Sequence, residues 1–253
     1  MKPIHILPFC LLCVGCHSAS FHYSIAETDL SDDFVIILHG LRGKSSSFLK
    51  LEQALLAQGY NVCRVDYPST QYDVQTLADR AIGEAIRRCE RAGSDTLYFV
   101  AHSLGAILAR HFLQENDLSR LGRIVFICPP NHGTELIDRF AWCRLFRKVN
   151  GPAGMQLSAS PDGLVASLEI PDYPFAVVMS ARSINPLASA FIPGRDDGRV
   201  SMESAKLTGM RDFVLVQAHH HNSMRKQETI RQVIHLLERG EFERTDCIAP
   251  QVR

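Results

Sequence analysis

Residues 97–106, LYFVAHSLGA, bring an apolar run to a stop at Ser103 and open a helix-forming stretch immediately after it. A serine there sits on a sharp turn, and the free N–H groups of the following helix face whatever it attacks. The turn crowds the backbone, so its flanks must be small, as Ala101 and Gly105 are. The chemistry this predicts is nucleophilic attack on an acyl carbonyl; the plainer reading is a helix-capping serine. A hydroxyl attacks well at neutral pH only with a base, a group that orients the base, and donors for the oxyanion. The Leu104 N–H is one such donor. Downstream stand two adjacent acids, Asp196 and Asp197, in PGRDDGRV (193–200), and then three adjacent histidines, His219, His220 and His221. Either acid can orient a histidine, although an Asp-Gly surface turn would look the same. Three neighbouring side chains on a loop point in different directions, with no carboxylate or cysteine close in sequence. We therefore expect a single catalytic histidine, no metal site and no organic cofactor.

These residues need elements to carry them. Phe34–Leu38 is wholly apolar, as a central parallel strand is. Further strands are predicted over 61–65, 96–100, 123–127, 176–179 and 213–216. Helices are predicted over 45–59, 76–92, 104–114 and 224–239. The alternation gives a parallel α/β sheet of about six strands covered on both faces, with ligands beyond the carboxyl ends of the strands. One stretch, 129–173, breaks the alternation. Within it, 134–149 reads as one helix, with Phe140, Trp142, Leu145 and Phe146 beside Arg139, Arg144, Arg147 and Lys148. Trp142 and Phe146, one turn apart, should share a face.

The pieces ILHGLRGKSS, VDYPS, VAHSLGA, PPNHG, NPLAS, PGRDDGRVSMES and the histidine run before MRKQETI resemble α/β-hydrolases of the bacterial lipase/esterase type. They span nearly all of the chain after residue 34. The first glycine of the usual Gly-x-Ser-x-Gly turn is Ala101 here, as in some small bacterial lipases. The resemblance implies the α/β-hydrolase fold over residues 30–240, with a cap at 130–173. It implies a second oxyanion donor at Leu41, where Gly40 lets the backbone bend, with His39 propping the loop. It selects Asp197 through the Asp-Gly-x-Val turn and His220 through its spacing to Met224-Arg225. The cap then makes Trp142 and Phe146 a wall or lid over an acyl site, suited to an acyl chain rather than a charged substrate. The implied activity is hydrolysis of acyl or lipid esters. The same triad would serve a thioesterase, an amidase or an acyltransferase. A non-catalytic binding protein on this fold would typically have lost the serine, the acid or the histidine.

With 253 residues, 46% hydrophobic and formally neutral, the chain suits one domain burying roughly 70–75% of its unfolded surface. Neutrality argues against a nucleic-acid partner. Residues 1–16 read as a signal peptide whose end, Cys13-Val14-Gly15-Cys16, resembles a lipoprotein processing site. The expectation is an exported protein, either periplasmic or anchored to a membrane by a lipid on Cys16. Cys63, Cys89, Cys128, Cys143 and Cys247 form no disulfide framework or metal spacing, and Cys63 and Cys128 read as buried small hydrophobes.

Overall fold

The computed structural model describes residues 19–24 and 32–244. The strands are β1 (Ser20–Ser24), β2 (Phe34–Leu38), β3 (Asn61–Asp66), β4 (Leu97–His102), β5 (Leu121–Ile127), β6 (Phe175–Ser180) and β7 (Asp212–Val216). They form a single sheet in the order β1-β3-β2-β4-β5-β6-β7. Strands β2 to β7 are parallel; β1 pairs antiparallel with β3 at one edge. The apolar runs lie in the middle: every residue of β2 and β6 is buried. Strand β1, SFHYS, lies ahead of the span expected for the hydrolase domain. It has no apolar run to announce it, and only pairing with β3 makes it a strand.

The helices are α1 (Leu49–Ala57), α2 (Val74–Arg91), α3 (Leu104–Glu115), α4 (Glu135–Phe140), α5 (Arg144–Met155), α6 (Leu164–Ser167), α7 (Pro186–Ser189), α8 (Met202–Ala205) and α9 (Gln227–Arg239). Helix α2 shows why the periodic segments fold as they do. Asp73 caps it by accepting the Thr76 N–H at 2.7 Å. Leu77, Ala81, Ala85 and Ile86, one stripe at helical spacing, are all buried. No helix among the described residues is long and apolar enough to cross a membrane.

The 134–149 stretch is two helices rather than one. Cys143 has extended backbone (φ −78°, ψ 116°), which ends the helical run ahead of α5. The Cys143 N–H closes a turn onto Phe140 O at 3.0 Å, and the Trp142 indole N–H donates to Arg139 O at 3.1 Å. Helix α5 runs on to Met155 across a kink at Gly151 (φ 69°). A Cβ at Gly151 would lie 2.0 Å from Thr70 O, so only glycine fits this crossing. Arg110 ties the segment to α3: its guanidinium, buried, donates to the carbonyls of Asn131, Leu168 and Glu169.

Candidate active site

Three non-glycine residues among those described have left-handed backbone: Arg42, Ser103 and Cys128. They follow β2, β4 and β5, three neighbouring strands, at their carboxyl ends. Such backbone costs about 1–3 kcal/mol per residue and persists only where the surroundings enforce it. At Ser103 (φ 52°, ψ −117°) the enforcement is visible. Its N–H donates to Ile127 O at 3.0 Å, and Ala106 N–H donates to its carbonyl at 3.0 Å. Gly105 completes the turn: a Cβ there would lie 2.8 Å from the carbonyl oxygens of both Leu38 and His39. A side chain at 105 would push α3 off β2 and carry the serine with it.

The Ser103 hydroxyl lies 3.0 Å from His220 Nε2, and His220 Nδ1 lies 2.7 Å from Asp197 Oδ2. A carboxylate beside Nδ1 holds the ring proton there. Nε2 is then the acceptor of the serine O–H. Asp197 is buried, and its other oxygen accepts the N–H groups of Arg199 (3.0 Å) and Val200 (2.9 Å). The His220 N–H donates to Asp197 O at 3.2 Å, locking the two loops together. Asp196 faces elsewhere: it accepts from Gly198 N–H and Ser189 Oγ, each at 2.7 Å, and so shapes the turn. His219 and His221 do not reach the serine by hydrogen bond among the described residues; the His221 ring packs edge-on to that of His220.

Leu41 lines the same cavity as Ser103, and its N–H has no backbone partner among the described residues. The Leu104 N–H opens α3 and so has no intrahelical partner. Gly40 has a reason other than a bend. A Cβ there would come 2.7 Å from His102 Nδ1 and 3.1 Å from Ser103 Cβ, so the loop approaches the serine turn only without a side chain. His39 does prop this loop. Its ring, buried and held below the usual histidine range by burial, stacks on Tyr67, donates to Gly40 O at 2.8 Å and accepts the Tyr67 N–H.

His102 carried no signal in the sequence beyond standing before the serine. Burial pushes its imidazole well below the usual range, so it is neutral; its Nε2–H donates to His220 O at 2.9 Å. It therefore holds the backbone of the residue that faces Ser103. Donor atoms of His102, His220 and Cys128 lie within 4.8 Å of one another, close enough to suggest a metal. Each is engaged in hydrogen bonds, Cys128 Sγ with Ser180 Oγ and Ser223 Oγ. Burial also raises the Cys128 thiol, which disfavours the thiolate that ligates metals.

The two cap residues part company. Phe146 lines the Ser103 cavity with Leu136, Ile137 and Leu157 and packs on Phe140 at 5.6 Å between ring centroids. Trp142 does not line it. It lies in the break between α4 and α5, and 77% of its surface is exposed. The expected shared face fails because the helix that would have aligned them is interrupted.

Residues 35–234 match the model of the alpha/beta hydrolase family. The chain belongs to that family. No curated protein matches it in sequence. Among solved structures, this family member resembles the lipase BlEst2 of Bacillus licheniformis in mature form at 17% identity and a TM-score of 0.67, covering 86% of this chain and 98% of that one. It resembles the esterase EaEST of Exiguobacterium antarcticum at 15% identity and a TM-score of 0.60, covering 87% and 95%. It also resembles the phospholipase PlaB of Legionella pneumophila at 19% identity and a TM-score of 0.56, covering 69% and 45%. At such identities the likeness is one of fold.

Proposed function

We propose that the protein hydrolyses carboxylic esters with an apolar acyl chain, through Ser103, His220 and Asp197. The observation that carries the proposal is the unbroken hydrogen-bond chain from the Ser103 hydroxyl through His220 to Asp197, beside a cavity that Ser103 and His220 line together with Phe146, Leu136 and Leu157. In this reading the Ser103 oxygen bonds to the acyl carbon as its proton passes to His220 Nε2. The oxyanion is held by the N–H groups of Leu41 and Leu104, each donor being worth on the order of 100–1,000-fold in rate. His220 returns the proton to the leaving alkoxide, and the alcohol departs. Water then attacks the acyl-serine by the same route, releasing the acid. Throughout, Asp197 keeps the His220 ring proton on Nδ1. Fluorophosphonate labelling confined to Ser103, together with turnover of p-nitrophenyl acyl esters, tests the reading. No labelling and no turnover would refute it.

Chain length should be read by Phe146. Phe146→Ala enlarges the cavity and should move the optimum on graded p-nitrophenyl esters toward longer acyl chains. Trp142→Ala should leave the profile in place, because the indole lies outside the cavity. A shifted profile in Trp142→Ala and none in Phe146→Ala would put the acyl chain elsewhere.

We also propose export, with processing at Cys16 and attachment to a membrane through the N-terminus. This rests on the sequence of residues 1–16, which lie outside the described residues. Mass spectrometry of the native N-terminus checks it. A mature chain beginning at an acylated Cys16 is the expected finding, and an intact Met1 would overturn it.

A further inference from the structure

The lining of the Ser103 cavity combines apolar side chains with two cations. It includes Arg42 and Arg199 and no aspartate or glutamate. Arg42 comes from the loop after β2, and Arg199 from the turn that carries Asp197. Among the described residues, neither guanidinium makes a hydrogen bond or an ion pair with an acid. The acid whose charge acts on Arg199 is Asp197, and its carboxylate is committed to His220 and to two backbone N–H groups. Arg199 is half-buried and Arg42 exposed; the proton affinity of Arg199 is lowered first by burial and then by the Arg42 charge, and raised by Asp197. His221, on the same lining, is pushed down to about 4 by burial first and then by His220 and Arg199, so it is neutral at pH 7. Arg42 also has left-handed backbone, held by the Ser69 hydroxyl on its N–H at 2.9 Å. Two like charges brought together, with no counter-charge but a carboxylate already committed to His220, favour an anion that joins them.

The geometry points to a substrate that is itself an anion: an ester carrying a phosphate or carboxylate within a few bonds of the scissile carbonyl, held by Arg42 and Arg199 while its apolar chain lies along Phe146. The inference takes its reaction from the ester-hydrolase reading above and its recognition from the cavity alone. The step is ordinary hydrolysis: ester and water give acid and alcohol, and the anionic group passes through unchanged. This qualifies the expectation of an uncharged substrate. The cap contributes apolar side chains, but the loop after β2 and the acid turn add Arg42 and Arg199 to the same lining.

The test has two arms, one for each place the anion could sit. For the acyl side, the p-nitrophenyl monoester of a dicarboxylic acid is compared with the neutral ester of equal length. For the alcohol side, lysophosphatidic acid is compared with the matching monoacylglycerol. In one arm kcat/KM should favour the anion by roughly 10–100-fold, the worth of charge-assisted hydrogen bonds. The preference should fall as salt is raised. The ratio should collapse in Arg42→Gln and Arg199→Gln and recover in part in Arg199→Lys, which keeps the charge but not the planar fork. Equal turnover of anion and neutral ester in both arms overturns the inference and leaves the hydrolase reading standing. Binding of the same four compounds to Ser103→Ala, followed by calorimetry, gives a readout that needs no turnover. Tighter binding of an anion that Arg42→Gln abolishes in that background supports the site even if no ester is cleaved. Equal binding of charged and neutral compounds sinks it.

Discussion

Ser103→Ala should lose covalent labelling by a fluorophosphonate and nearly all ester turnover, a drop on the order of 10⁴- to 10⁶-fold. Alanine retains the backbone bonds to Ile127 O and from Ala106 N–H, so the turn should hold and the loss is chemical rather than structural. His220→Ala should be as damaging. It is the histidine with a ring nitrogen at 3.0 Å from the serine oxygen and the other at 2.7 Å from a buried carboxylate. The double variant should be barely worse than either single one, because a nucleophile without its base and a base without its nucleophile fail at the same step. His219→Ala and His221→Ala should retain most turnover, since neither ring bonds to the serine. Steady-state kinetics on one short-chain ester, with circular dichroism to check folding, decides the matter. Full activity in Ser103→Ala would end the hydrolase reading. Inactivity in His221→Ala with activity kept in His220→Ala would move the base by one residue.

Asp197→Asn should cost about 10⁴-fold in kcat. Asparagine is nearly isosteric and keeps the oxygen that accepts from Arg199 and Val200, so the turn survives. Its amide, however, presents N–H where the carboxylate accepted. His220 must then turn its unprotonated nitrogen toward residue 197 and carry its proton on Nε2, where it cannot accept from Ser103. Asp196→Asn should cost little, because the bonds from Gly198 N–H and Ser189 Oγ need only an acceptor oxygen. The pair is informative because the two acids are neighbours of similar size in one turn. Comparable losses in both variants would mean that the turn's shape, rather than its charge at Asp197, supports turnover.

What the sequence determined by itself was the six parallel strands, the longer helices and where Ser103, Asp197 and the three histidines stand relative to them. Apolar runs such as Phe34–Leu38, and stripes at helical spacing such as Leu77, Ala81 and Ala85, are local patterns, and burial of exactly those residues is what makes the strands and helices form. Small residues around Ser103 mark its turn within one short motif, although the crowding that requires Gly105 comes from Leu38 and His39, far back in the chain. Tertiary structure decided the rest, because the rest depends on residues far apart in sequence. Strand β1 exists only by pairing with β3. The break at Cys143 and the outward placing of Trp142 follow from how α4 and α5 settle over the cavity, which 3.6-residue periodicity cannot register. Among three consecutive histidines, local chemistry is the same. Only the meeting of the loop after β7 with the acid turn and the serine turn sets His220 between Asp197 and Ser103. His102 supports that loop, and Arg42 and Arg199 line one cavity, for one physical reason: parallel strands bring the loops at their carboxyl ends to one edge of the sheet, however much chain lies between them.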